Sequence, residues 1–363
     1  MLQNHRYADI VESLIEIFNH SGELRQQMLQ AIRRASNECV DIVFNPVRSL
    51  DDLYSFLNDY LISMPWQGLK LGSPYSLFRR IDQSIGYIYY LFRDLQFNPT
   101  ISQWLKDYNQ RWADFLDSND SWSEGYYQLV YADPKFGLQN GLYEDKSNWH
   151  SWNSFFSRRL RADMSLKTLY PTDLFEERVI CPIDGVLHSW LPIDEHNRLQ
   201  IPQHIKTTDI FDIQQLLADS PYSQVFAGGQ FTHIALDVNN YHRFHCPANC
   251  RVLDIRYVDG NCCDGGNIIW DKLQNRYRYE FDENIGFQML EKRVVMIFES
   301  TNTESDQPYY FAVIPIGVAQ VGSISIDNTV YIGAEIDKCQ ELGYFQLGGS
   351  DVVILKQQNF INL

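Results

Sequence analysis

The sequence predicts an α+β protein: a helical N-terminal region over residues 1–145, then a β-rich domain over residues 146–363. Three observations predict it. Apolar residues recur at three- and four-residue spacing through the first part of the chain. From near residue 175 the apolar runs become short and β-branched. Gly, Asn and Asp separate those runs, as tight turns require. With 363 residues, 45% of them hydrophobic and 21% charged, the chain is long enough for a sizeable core.

The elements follow in order. Ile10, Val11, Leu14, Ile15 and Phe18 form one helical stripe, and Leu24, Met28 and Ile32 a second. Ser49 is placed to cap a helix reaching Leu61, with Leu53, Phe56 and Leu57 on one face. Ile81–Phe97 and Ile101–Leu116 read as aromatic-rich helices, and Ser118–Glu124 and Asp133–Asn140 as loops. Strands are expected at Val179-Ile180, Val186-Leu187, Ile234–Val238, Arg251–Val258, Val294–Phe298, Phe311–Ile316, Val321–Ile326 and Val352–Leu355. Turns are expected at Asp259-Gly260-Asn261 and Asp264-Gly265-Gly266, and one helix at Asp209–Leu217.

A net charge of −16 repels phosphate backbones and anionic lipid. Nucleic acid is therefore not expected as a partner, and membrane contact is expected to be peripheral at most. Charges interrupt the apolar residues of Met1–His20, so no secretory pattern is read there. No run approaches the ~20 apolar residues of a membrane span. The seven cysteines suggest no disulfide framework, and a reducing cytoplasm is the expected compartment. Cys246 and Cys250 have a zinc-like spacing but lack a matching distal pair, so no metal is expected.

Three segments could carry chemistry. Cys181-Pro182-Ile183-Asp184-Gly185 has the composition of a turn. Tyr241-His242-Arg243-Phe244-His245-Cys246-Pro247 places two histidines at a strand end. Gly343–Asp351 contains Gly348-Gly349-Ser350 ahead of a strand, not ahead of the helix that a phosphate-cradling loop needs. Each alone has an ordinary structural reading, as a turn or as a core-edge histidine. Jointly they hold the parts for activating a hydroxyl against a backbone carbonyl: a serine behind glycine, a histidine to take its proton and an aspartate to orient that histidine.

These segments resemble the phosphatidylserine decarboxylase family. The resemblance covers about residues 149–355 and includes Ser151-Trp152-Asn153-Ser154-Phe155-Phe156-Ser157-Arg158-Arg159-Leu160, Phe226-Ala227-Gly228-Gly229 and Ile316–Ile324 besides the three segments above. It implies a self-cleaving proenzyme in which Ser350 attacks the Gly349 carbonyl and becomes a covalent pyruvoyl cofactor. It implies that Asp184 and His245 activate that serine and that His242 assists decarboxylation. The resulting carbonyl would form a Schiff base with a substrate amine and accept the electrons released as CO2 departs. The predicted fragments are 1–349 and 350–363, the second of fourteen residues. The sequence departs from the family pattern at Asp351, where Thr or Ser is common, at Cys250, where a turn glycine is usual, and in its short tail.

The N-terminal region is similar to that of the family's soluble branch acting on tryptophan and related amino acids, through Gly86–Tyr90, Ile101–Leu116 and Phe155–Arg161. A free aromatic amino acid is thus the expected substrate. Phosphatidylserine, converted to phosphatidylethanolamine in phospholipid biosynthesis, is the alternative, and an unprocessed binding relative is another. Trp152 is expected either in the core or on the wall of the substrate pocket. The reading is compatible with a homo-oligomer.

Overall fold

The computed structural model describes residues 6–63, 81–169, 179–200, 210–260, 268–279, 287–300, 308–318, 323–346 and 349–358. The expected turn at Asp264–Gly266, residues Gln320–Gly322 and residue Gly348 lie outside the described residues.

Helices occupy the N-terminal region as the periodicity predicts. α1 (Asp9–His20) buries Val11, Leu14 and Phe18. α2 (Gly22–Glu38) starts at Ser21, whose hydroxyl accepts the Leu24 N–H. α3 (Leu50–Tyr60) starts at Ser49, whose hydroxyl accepts the Asp52 N–H, the capping that the sequence predicts. α4 (Ile81–Phe92) ends five residues earlier than expected. The reason lies downstream: Asn98 caps α5 (Pro99–Asp117), and a residue before proline avoids helical angles. α6 (Glu124–Ala132) opens at the end of the expected loop, where Ser123 caps it. α7 (Trp152–Phe156) begins with a reciprocal Ser151–Ser154 capping box, and α8 is Leu166–Leu169. Trp152 is fully buried among Tyr126, Phe155 and Phe156, which is the core outcome.

The β region follows, giving the α+β class. Its strands are β1 (Val186–Pro192), β2 (Arg198–Gln200), β3 (Ile210–Asp212), β4 (Gln230–Leu236), β5 (Arg243–His245), β6 (Cys250–Val258), β7 (Ile268–Asp271), β8 (Arg276–Tyr279), β9 (Arg293–Ser300), β10 (Tyr309–Val318), β11 (Ile324–Ile326), β12 (Glu335–Ile336), β13 (Glu341–Phe345) and β14 (Gly349–Lys356). The main sheet is antiparallel, in the order β1-β4-β14-β10-β9-β6-β12. A second sheet runs β11-β13-β5, and β2-β3 and β7-β8 are hairpin-like pairs.

Two expectations are corrected. Asp209–Leu217 is not one helix: Ile210–Asp212 pairs with β2, and only one turn of helix, α9 (Ile213–Leu216), follows. Asp212 caps that turn, and left-handed Ala218 and Asp219 end it. Val179-Ile180 is not a strand, although the Ile180 N–H donates to the Pro247 carbonyl and ties this segment to the histidine strand.

The helices meet the β region through aromatic packing. Tyr277 of β8 packs tilted against Tyr87 and Tyr90 of α4 with ring centroids 5.3 and 5.1 Å apart, and its hydroxyl donates to the Phe44 carbonyl at 2.9 Å. In the main sheet, Phe226-Ala227-Gly228-Gly229 leads into β4. Gly228 has φ +72°, and a Cβ on Gly229 would lie 2.1 Å from the Lys356 carbonyl oxygen. The glycine pair therefore lets the chain close against the end of β14.

Candidate active site

β14 is an interior strand. Ser350 pairs with Leu236 of β4 on one side and Gly317 of β10 on the other, and Gly349 pairs with Val318. The Gly349–Ser350 peptide bond is thus held in an extended, two-sided ladder. Ser350 is 2% exposed, and its hydroxyl has no hydrogen-bond partner among the described residues. A buried hydroxyl without a partner is uncommon and costs about 1–3 kcal/mol, so it calls for a functional explanation.

The pleat sends Asp351 to the opposite face from Ser350. There its carboxylate meets His233 Nε2 at 2.8 Å, and both side chains are buried. The carboxylate beside the nucleophile in sequence is therefore engaged elsewhere in space.

Beyond Leu236 the chain turns through Asp237–Asn240 into the histidine segment. The Asp237 N–H donates to Asn240 Oδ1, and the Asn240 N–H to the Asp237 carbonyl. The same carbonyl accepts from His242 Nε2 at 3.1 Å, so His242 carries its proton on Nε2. Its imidazole is stacked on Phe156 at 3.7 Å. His242 is therefore anchored one residue past the register partner of Ser350. Burial, then the positive charge of Arg158, pushes His242 down to about 3.

His245 faces the other way, because residues three apart in an extended chain project to opposite sides. Its Nδ1 donates to the Cys339 carbonyl at 3.0 Å, and its ring stacks on Tyr241. Burial pushes it down to about 4 against the opposing pull of that carbonyl. It lines a cleft of about 610 Å³ together with Arg159, Arg161, Tyr241, Cys339 and Glu341.

Asp184 sits in the bend ahead of β1. Its carboxylate accepts from the Tyr241 N–H at 3.3 Å and from Asn240 Nδ2 at 3.2 Å. The following glycine allows a close approach: a Cβ on Gly185 would lie 2.7 Å from the Ala235 carbonyl oxygen and 2.8 Å from Ile234 Cγ2. The neighbouring Pro182 carbonyl accepts the His245 N–H at 2.8 Å. The structure thus gathers Ser350, Gly349, Asp184 and His242 around the end of β4. It ties His245 to the same bend by its backbone and turns its ring away.

Arg158 had no assigned role in the sequence. It is fully buried, and its Nη2 donates to the carbonyls of Asn239 and Asn240 at 2.8 and 3.0 Å. A pair of arginines after Phe155-Phe156 was the available signal, but sequence does not show which one turns inward. The sulfurs of Cys246 and Cys250 lie 3.2 Å apart, and no group of three or more metal-ligating side chains occurs among the described residues.

A family model described as phosphatidylserine decarboxylase matches residues 152–363. Similar curated proteins carry the name phosphatidylserine decarboxylase proenzyme. That of Ruminiclostridium cellulolyticum is 26% identical over 230 residues, covering 63% of this chain and 67% of its own length. That of Psychrobacter arcticus is 28% identical over 212 residues, covering 57% and 69%. That of Pseudomonas putida is 24% identical over 266 residues, covering 67% and 79%.

Proposed function

The chain belongs to the phosphatidylserine decarboxylase family of carboxy-lyases, and from that premise we propose that it cleaves itself at Gly349–Ser350 and decarboxylates phosphatidylserine. The observation that carries the cleavage is the buried, unpartnered Ser350 hydroxyl beside a glycyl carbonyl. The substrate reading is supported by the relatives, all three of which bear the phospholipid name. The free amino acid expected from the N-terminal region finds no support in them.

Cleavage follows from the residues present. Ser350 Oγ adds to the Gly349 carbonyl carbon, the C–N bond breaks and an ester replaces the amide. Loss of the Ser350 Cα proton expels the Gly349 carboxylate. The dehydroalanine left at position 350 takes up water, releases ammonia and becomes the pyruvoyl group. The residues fit this conversion: the Ser350 hydroxyl makes no hydrogen bond among the described residues, so losing it breaks none of theirs. When formed, the group supplies a carbonyl that captures the substrate amine and accepts electrons as CO2 leaves.

In this assignment Asp184 and His245 activate Ser350, and His242 returns a proton to the substrate carbon. Asp184 contacts the turn ahead of His242 in the structure, so the activating pair requires the His245 ring to leave the Cys339 carbonyl. His245→Gln is expected to slow cleavage about 10²-fold or more, and His242→Gln to spare cleavage and lower CO2 release. The reverse pattern would exchange the two roles.

Intact mass provides the central test. Purified protein should give fragments 1–349 and 350–363, the smaller carrying a hydroxylamine-reactive carbonyl, and Ser350→Ala should remain full length. Wild-type protein that stays uncleaved and lacks the carbonyl would overturn the proposal. CO2 release from carboxyl-labelled phosphatidylserine vesicles, and not from tryptophan, is expected; the opposite result would restore the free amino acid.

A further inference from the structure

We propose that Arg158 is the positioning residue for His242, gripping the Asp237–Asn240 turn from its carbonyl side so that the imidazole is presented at the end of β4. The proposal rests on the reading above that Ser350 and His242 share one site.

The turn is held from both sides. Arg158 Nη2 takes the carbonyls of Asn239 and Asn240. Asp184 takes the opposite polarity, the Tyr241 N–H and Asn240 Nδ2. With donors satisfied by a carboxylate and acceptors by a guanidinium, the turn has little freedom to rotate. His242 closes the arrangement by donating to Asp237 at the start of the same turn.

The energetics point to function. Arg158 is fully buried, and its Nε and Nη1 have no hydrogen-bond partner among the described residues. Its guanidinium lies over the rings of Tyr143 and Phe155 at 4.5 and 5.2 Å, a partial compensation. The Asp184 carboxylate supports the charge from nearby without forming an ion pair with it, yet burying such a cation is costly, and a hydrophobic side chain would fill the same space more stably. What the cation supplies that an apolar residue cannot is the carbonyl grip and a positive field on His242.

That field has a definite consequence. The charged group that acts on the His242 ring is Arg158, from the segment after α7; Asp237 meets the ring through its backbone carbonyl, and Asp184, from the bend before β1, meets the neighbouring Asn240 and Tyr241 N–H. Tyr143 and Tyr241 lie beside Arg158. Arg243 is paired with Glu341 across β5 and β13. Burial and Arg158 both lower the proton affinity of His242. The imidazole is thus kept neutral, and its Nδ1, without a partner among the described residues, is placed to take up the proton that His242 then hands to the substrate carbon.

The experiment uses full-length protein labelled with ¹³Cε1-histidine, with His242 assigned by its loss in His242→Gln. Wild type, Arg158→Gln and Arg158→Lys are titrated by NMR, and CO2 release is measured against pH. Arg158→Gln is expected to raise the His242 midpoint by about one pH unit or more, and the acid limb of CO2 release with it. Arg158→Lys keeps the charge but not the planar fork; its midpoint should stay low while turnover falls about tenfold or more. An unchanged midpoint in Arg158→Gln, with only a lower unfolding temperature, would overturn the inference and leave Arg158 a structural residue. If Arg158→Gln fails to fold, Arg158→Lys decides, because wild-type turnover in it would equally overturn the grip. The titration is readable on uncleaved protein, so absence of a pyruvoyl group in wild type would sink the proposed function without obscuring this result.

Discussion

Along β14 the pleat separates two adjacent polar residues, and their fates differ. The Ser350 hydroxyl has no partner among the described residues, while Asp351 pairs with His233 on the other face. Removing one member of a buried pair strands the other, so Asp351→Ala should destabilise the fold by about 3 kcal/mol, read from chemical denaturation, and Asp351→Asn by less. Cleavage in Asp351→Asn should run near the wild-type rate; a large change would show that the carboxylate acts on Ser350 after all. The buried histidines set an acid limit. Both His242 and His245 are held below the ordinary 6.5, at about 3 and about 4, so the unfolded chain binds protons that the folded chain refuses. Their contribution is present above pH 6.5 and is lost as pH falls towards those values. Denaturation midpoints measured between pH 7 and pH 4 should fall, and His242→Gln should flatten the profile. At this scale the sequence offered Ser350, His242, His245 and Asp184 as candidates through the order of their motifs; the fold brings the Ser350 strand pair, Asp184 and His242 to the end of β4 and sends the His245 ring to the Cys339 carbonyl. The sequence could not show the inward turn of Arg158 or the Asp351–His233 pair, which depend on register between distant strands.

Among elements, β14 ranks with the most enclosed. It lies between β4 and β10, and its ladder runs from Gly349 to Lys356 with β10 and from Ser350 to Lys356 with β4. Val352, Val353, Ile354 and Leu355 are buried. Cutting before Ser350 removes none of the hydrogen bonds from residues 351–356. Fragment 350–363 is therefore expected to co-elute with 1–349 in native gel filtration and to separate only in denaturant; early loss under native conditions would contradict the ladder. The run Val352–Leu355 was legible as a strand, as were β9 and β10, because continuous apolar, β-branched-rich stretches mark buried strands, and β6 was legible because Val252, Ile255 and Val258 recur among polar residues along it. Of the helix expected at Asp209–Leu217 only the turn Ile213–Leu216 formed, since pairing of Ile210–Asp212 with β2 overrode a helical pattern too short to stand alone. The β7–β8 hairpin escaped notice because β7 offers only the three apolar residues Ile268, Ile269 and Trp270, and β8 alternates arginine with tyrosine without an apolar run.

Across the whole molecule, the helical region and the β region are fastened by the seam of Tyr277, Tyr87, Tyr90, Phe44 and Trp270. Tyr277→Ala should cost about 3–5 kcal/mol and lower a single shared transition; two separated transitions would show that the regions melt independently. The division into helices then strands was readable from periodicity, but this seam was not, because Tyr277 and Tyr87 are joined only by the finished fold. The central position of β14 has a last consequence, which concerns reversibility. Before cleavage the sheet closes on itself and refolding is a first-order event. After the proposed cleavage the same sheet would be a complex of two chains, the second beginning at residue 350. Refolding then becomes second order, and the melting temperature of mature protein should rise with its concentration while that of Ser350→Ala stays fixed. Maturation in this molecule would thus trade a chain that can recover from unfolding alone for one that must find its missing strand again.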